Sequence, residues 1–81
     1  MTTVVKLFAR ARDLVGTSTV ELDLSESATV ADLRTALGEQ YPNLGPLVSN
    51  LLFSIGTDYA APTSVVGGRK DVACFPPVSG G

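Results

Sequence analysis

Thr3-Val4-Val5-Lys6-Leu7-Phe8-Ala9-Arg10 is the stretch on which the fold turns. It is rich in β-branched and apolar residues, so it predicts a strand. Val5, Leu7 and Ala9 fall on one face of the extended chain, and Val4 and Phe8 on the other. A strand that is apolar on both sides belongs in the middle of a sheet. Val72-Ala73-Cys74-Phe75, in the predicted last strand Asp71 to Phe75, suits a central place equally.

Outward from the first strand, Arg12 to Gly16 reads as a short connection. Ser18 to Leu24 then alternates, with Val20, Leu22 and Leu24 on one face and Thr19, Glu21 and Asp23 on the other. That pattern predicts a half-buried strand, antiparallel to the first. Thr29 is placed to cap a helix, with Asp32 three residues on in a capping-box position. Val30, Leu33 and Leu37, with Ala36 beside them, form one apolar stripe. Pro42 forbids continuation, so the helix is predicted over Val30 to Tyr41. Asn43 to Asn50 is expected to be irregular, with a short turn at Leu47 and Val48. Leu51 to Ile55 is a third strand, Gly56-Thr57-Asp58 a turn, Tyr59 to Ala61 a short fourth strand and Pro62 to Lys70 a loop. The order ββαβββ implies an α+β domain, one mixed sheet with one main helix packed on one face. The β-grasp (ubiquitin-like) architecture has this order, with its first and last strands parallel at the centre.

Eighty-one residues make a single domain over 1–81, with a globular body at 1–75 and an extended tail at 76–81. The chain is 44% hydrophobic and 17% charged, too apolar for disorder. Its formal net charge of -2 removes the basic excess that non-specific nucleic-acid binding needs. One Cys and no His exclude an internal disulfide, a zinc cluster and the Ser-His and Cys-His nucleophile pairs. The chain therefore reads as intracellular, with a cytoplasmic location expected, no metal site, and no self-sufficient catalysis. Lys6, Arg10 and Arg12 interrupt any signal-like apolar run. The longest uncharged stretch, Gln40 to Thr57, holds Pro42, Pro46, Gly45 and Gly56 and is no bilayer span. Neither nucleic acid nor membrane is an expected partner.

Chemistry concentrates in the tail, Pro76-Pro77-Val78-Ser79-Gly80-Gly81. The prolines remove two backbone donors and stiffen an extended exit from the sheet. Gly80 and Gly81 lack Cβ atoms and fit a channel too narrow for side chains. The terminal carboxylate, with a pKa of about 3.5, is an anion at neutral pH and resists nucleophiles. An external ATP-using enzyme would have to activate it as an acyl adenylate.

Phe75-Pro76-Pro77-Val78-Ser79-Gly80-Gly81 resembles the C-terminal signature of the molybdopterin synthase small subunits, which are ubiquitin-like sulfur carriers. Lys6 to Gly16 is similar to that family's first strand and following turn, and Thr29 to Leu33 to its helix start. The resemblance implies that an E1-like enzyme adenylates Gly81 with ATP and that sulfur transfer makes a thiocarboxylate there. That sulfur would pass to cyclic pyranopterin monophosphate in molybdenum cofactor biosynthesis. It further implies a heterotetramer, with the tail inside the large subunit's active site, Gly80 giving clearance, and Pro76, Pro77, Val78 and Ser79 along the channel. No cofactor is implied on this chain, which would be a sulfur-donating rather than a catalytic subunit. Phe8, Arg12 and Phe75 match partner-binding positions. A core position fits Phe8 as well as an interface, whereas Phe75 beside the tail favours the interface. Arg12 has two readings, a partner contact or a local pair with Asp13.

Three places depart from the family, one of them the Gly56-Thr57-Asp58 turn, which replaces a more usual Asn-containing turn. Arg69-Lys70-Asp71 stands at a corner that is usually acidic, and Cys74 replaces a larger residue. Cys74 reads as a packing residue rather than a sulfur-carrying thiol. The same terminal chemistry also serves two alternatives: a sulfur carrier for thiazole or tRNA thiolation, and a ubiquitin-like protein modifier.

Overall fold

The structure is a computed structural model that describes residues 1–77. Strands β1 (Thr2–Leu7), β2 (Thr19–Asp23), β3 (Leu52–Ile55), β4 (Asp58–Tyr59) and β5 (Val72–Phe75) form one sheet. Their order across it is β2-β1-β5-β3-β4. β1 pairs with β5 in parallel, Val5 opposite Val72 and Leu7 opposite Cys74, and all other neighbours are antiparallel. The two strands expected at the centre are there, as the β-grasp order requires.

One face of the sheet is sealed. Val5, Leu7, Val20, Leu22, Phe53, Val72 and Cys74 are buried against α2 (Val30–Gln40), which contributes Val30, Leu33 and Leu37. Each such aliphatic side chain removed from water stabilises by about 1.5–3 kcal/mol. The Thr29 capping box forms as read: the Asp32 N–H donates to Thr29 Oγ1, and the Thr29 N–H donates to Asp32 Oδ2 at 2.9 Å. After α2, Pro42 opens a 3₁₀ turn (Pro42–Leu44) that runs into α3 (Gly45–Val48). The region expected to be irregular is thus short helix, and Leu44 is its buried anchor. Arg34 fixes the segment from below. Its Nη1 donates to the carbonyls of Val48 (2.8 Å) and Leu51 (3.0 Å), and its guanidinium lies 5.2 Å from the Phe53 ring centroid.

The N-terminal quarter differs from the expectation. β1 stops at Leu7 instead of reaching Arg10, and Ala9–Val15 is a helix, α1, not a loop. The backbone at Ala9 takes a left-handed φ of 52°, which ends the strand at a cost of about 1–2 kcal/mol. Ala11, fully buried, with Leu14 and Val15 packed against the core, supplies the helical stripe. Gly16 terminates it at φ 91°, its N–H donating to the Arg12 carbonyl at 2.8 Å. Ala9 consequently leaves the Val5/Leu7 face and is exposed.

A long loop between β4 and β5 is tied to β1 by Thr3, the one buried polar side chain among the described residues. Thr3 Oγ1 donates to the Val66 carbonyl (3.0 Å) and accepts from the Gly68 N–H (3.0 Å). Gly67 lies so close to the carbonyl oxygens of Ser25 and Glu26 that a Cβ there would collide with backbone.

Candidate functional site

Strand alternation places a second set of side chains on the uncovered face. The register puts Ala73 beside Lys6 and Ser54, and Phe75 beside Leu52. Tyr59, opposite Ser54 on β4, meets Phe75 edge-on, with ring centroids 5.8 Å apart at 61°. Phe75 is half-buried by these neighbours, while Tyr59 and Leu52 are exposed.

Phe8 comes to the same end of the sheet from the other side. Its N–H donates to the Cys74 carbonyl at 3.1 Å, so β1 and β5 stay joined up to the residue before Phe75. Phe8 is 47% exposed and is no part of the core. Two aromatic residues therefore flank the point where β5 ends and Pro76, half-buried, and Pro77, exposed, begin the tail. Val78, Ser79, Gly80 and Gly81, which carry the remaining tail assignments, lie outside the described residues.

Arg12 lies on the outside of α1, its Nε 3.8 Å from Asp13 Oδ1. Both side chains are more than half exposed, and such pairs contribute little. The local partner is the one this structure gives Arg12.

Cys74 is on the sealed face and fully buried. Burial pushes its thiol up to about 12, with the nearby Arg34 charge pulling weakly the other way. A thiol that stays protonated at neutral pH is a poor nucleophile, which fits the packing role read from sequence. Arg69 and Asp71 form a bidentate pair at 2.8 and 2.7 Å. The hydrogen bond from Arg69 lowers the Asp71 carboxyl below its usual range, and Asp71 raises Arg69 in turn. The unusual corner is therefore internally neutralised at two of its three charges.

Leu52 and Tyr59 were not singled out by the sequence reading. Alternation in Leu51-Leu52-Phe53 marks Leu52 as the outward residue, but only the register shows that Leu52, Tyr59 and Phe75 meet. No helix among the described residues is long and apolar enough to cross a membrane.

The model of the ThiS family matches residues 5–81. The chain belongs to the ThiS family. It is a ubiquitin-like sulfur carrier of that family. This ThiS-family chain is 31% identical over 77 residues to the molybdopterin synthase sulfur carrier subunit of Arabidopsis thaliana, spanning 95% of this chain and 80% of that one. It is 33% identical over 84 residues to small archaeal modifier protein 1 of Haloferax volcanii, spanning 94% and 97%. The crystal structure of SAMP1 from Haloferax volcanii superposes with a TM-score of 0.83 at 29% identity, over 100% of both chains.

Proposed function

We propose that this chain is the sulfur carrier subunit of a molybdopterin synthase. The observation that carries the reading is the Phe75-Pro76-Pro77…Gly80-Gly81 sequence, which begins on the last residue of β5, a central strand of the β-grasp sheet. Likeness to the plant sulfur carrier subunit over 95% of the chain supports it.

The chemistry begins at the Gly81 carboxylate. An E1-like enzyme joins it to AMP from ATP, releasing pyrophosphate. A sulfur nucleophile then displaces AMP and leaves a thiocarboxylate. In the synthase that sulfur bonds to a carbon of cyclic pyranopterin monophosphate as a C–O bond of that carbon breaks. Water then cleaves the bond between the sulfur and the glycine carbonyl, which restores the carboxylate and leaves the sulfur on the pterin. The body brings no imidazole and no available thiol to these steps: it has no His, and its one thiol is buried and held protonated. Its part is to hold the tail's root still and to dock. Phe8 and Phe75 are the aromatic anchors for the large subunit, packed around the entry of the tail.

Intact mass measured after incubation with the E1-like enzyme, ATP and a sulfur source tests the first half. The expected result is replacement of one oxygen by sulfur, mapped to Gly81. Pterin sulfuration by the reconstituted synthase tests the second half, and full activity after deletion of Gly81 would overturn the reading.

A second reading, a protein modifier, is favoured by the likeness to small archaeal modifier protein 1 along nearly the whole of both chains. It predicts higher-mass conjugates that disappear when Gly81 is removed.

A further inference from the structure

An open cleft of about 400 Å³ lies on the uncovered sheet face, lined by Lys6, Phe8, Gly56, Lys70, Asp71 and Ala73 among others. It exists because Ala73, with a single methyl group, sits in the row between the longer Lys6 and Ser54 side chains. Its charges do not cancel. Asp71 is already neutralised by both hydrogen bonds from Arg69. Lys6 and Lys70 pair with no carboxylate among the described residues. Lys70 Nζ donates to the Thr2 carbonyl at 3.0 Å, and an ammonium has three protons to give. A cationic cleft in a chain of net charge -2 is a local feature rather than a reflection of composition.

We propose that this cleft is an acid-reading subsite, which takes a Glu or Asp side chain of the protein partner that covers Phe8 and Phe75. The inference rests on the reading of that face as a docking surface. Continuity argues for it, because Phe8 belongs both to the cleft wall and to the aromatic pair at the tail exit. Charge complementarity names the chemistry, an acidic side chain beside an apolar anchor. A phosphate ligand is disfavoured by the donors present. The Gly56 N–H is committed to the Asp71 carbonyl at 3.0 Å, and Arg69 to Asp71, so neither a backbone nest nor a guanidinium fork faces the cleft. Two lysines are point charges suited to steering and to partner choice.

The probe is a synthetic peptide, acetyl-Glu-Phe-Glu-Leu-amide, titrated at millimolar concentration into ¹⁵N-labelled full-length protein. Its control is the same peptide with Gln for both Glu residues. Amide shifts at Lys6, Phe8, Lys70 and Ala73 are expected with the Glu peptide. Binding about tenfold weaker is expected for the Gln peptide and for the Lys6→Gln/Lys70→Gln double variant, whose melting temperature should match the parent's. Equal binding of both peptides, shifts elsewhere on the surface, or no shifts would overturn the proposal. The molybdopterin synthase large subunit separates this inference from the functional reading. If it binds the parent and the double variant equally at low and high salt, the subsite is refuted and the functional reading stands. If it binds neither while the Glu peptide titrates the cleft, the functional reading fails and the subsite stands.

Discussion

Replacing Thr3 by Val keeps the shape of a fully buried side chain and removes only its hydroxyl. Two hydrogen bonds go, and they are not equivalent. The Val66 carbonyl also accepts from the Arg69 N–H at 3.0 Å, so it keeps a partner. The Gly68 N–H, which donates to Thr3 Oγ1 at 3.0 Å, is orphaned in a partly buried place. An unsatisfied donor of that kind costs about 1–3 kcal/mol, and the added apolar methyl returns about 0.8 kcal/mol at most. The expected net loss is about 1.2 kcal/mol. For a domain of this size that lowers the melting temperature by about 5–10 °C. Thermal unfolding followed by circular dichroism gives the magnitude, and amide hydrogen exchange gives the location. Exchange at Gly68 should accelerate far more than at Val5 or Val72 in the sheet centre. Thr3→Ser is the control: it keeps both bonds, loses one methyl, and should retain Gly68 protection. A Thr3→Val protein within about 0.5 kcal/mol of the parent, or with Gly68 protected as before, would refute the reasoning. The bond matters beyond stability, because the loop it ties down carries Lys70 and Asp71 to the cleft.

Gly67→Ala should destabilise by about 1–3 kcal/mol or more, read from urea unfolding, since its Cβ would meet the Ser25 and Glu26 carbonyls and backbone must move. Arg34→Met keeps the aliphatic stem but removes charged donors from the Val48 and Leu51 carbonyls, which should cost about 1.5–3 kcal/mol in the same assay. Cys74 makes stability depend on alkaline pH. Its folded thiol is held up to about 12, and the unfolded one ionises near 8.5, so the contribution is full below about pH 8.5 and is lost as pH rises towards 12. The unfolding free energy of the parent should therefore fall more steeply between pH 9 and 11 than that of Cys74→Ala, by up to roughly 1.4 kcal/mol per pH unit; parallel curves would show that the thiol is not buried as described.

What the sequence made legible were the features whose cause is local. Alternation in Val20 to Leu24, the Thr29–Asp32 box and the stop at Pro42 each depend on a few neighbouring residues, and each is where it was read. α1 was misread because Val5, Leu7 and Ala9 continue a strand period while Ala11, Leu14 and Val15 begin a helical one. The switch between them is a left-handed backbone at Ala9, a residue whose type does not announce it. The cleft was illegible for another reason. Lys6 and Lys70 are distant in sequence and meet only through the parallel pairing of β1 and β5, and the pairing of Arg69 with Asp71, which leaves those lysines uncompensated, needs side-chain geometry. Phe8 could not be assigned from sequence because a strand apolar on both faces predicts burial of both. The second face instead stays open, with Phe8, Leu52 and Tyr59 exposed and Val4, Ala73 and Phe75 only half-buried.

That open face explains how so short a strand does two jobs. In β5, Val72 and Cys74 point into the sealed core, while Ala73 and Phe75 point outward to the cleft and the aromatic pair. The strand is hydrogen-bonded on both sides, to β1 and to β3, so its last residue has little freedom to drift. Pro76 then follows at once, with no glycine or polar spacer between a fixed strand and a stiff exit. Under the proposed function, a carrier that reacts at Gly81 gains from this arrangement, since slack at the root would add to the entropy lost when a partner's channel captures the tail. Under that function the same parity separates the consequences of change along β5: inward substitutions act on folding, and outward ones on docking.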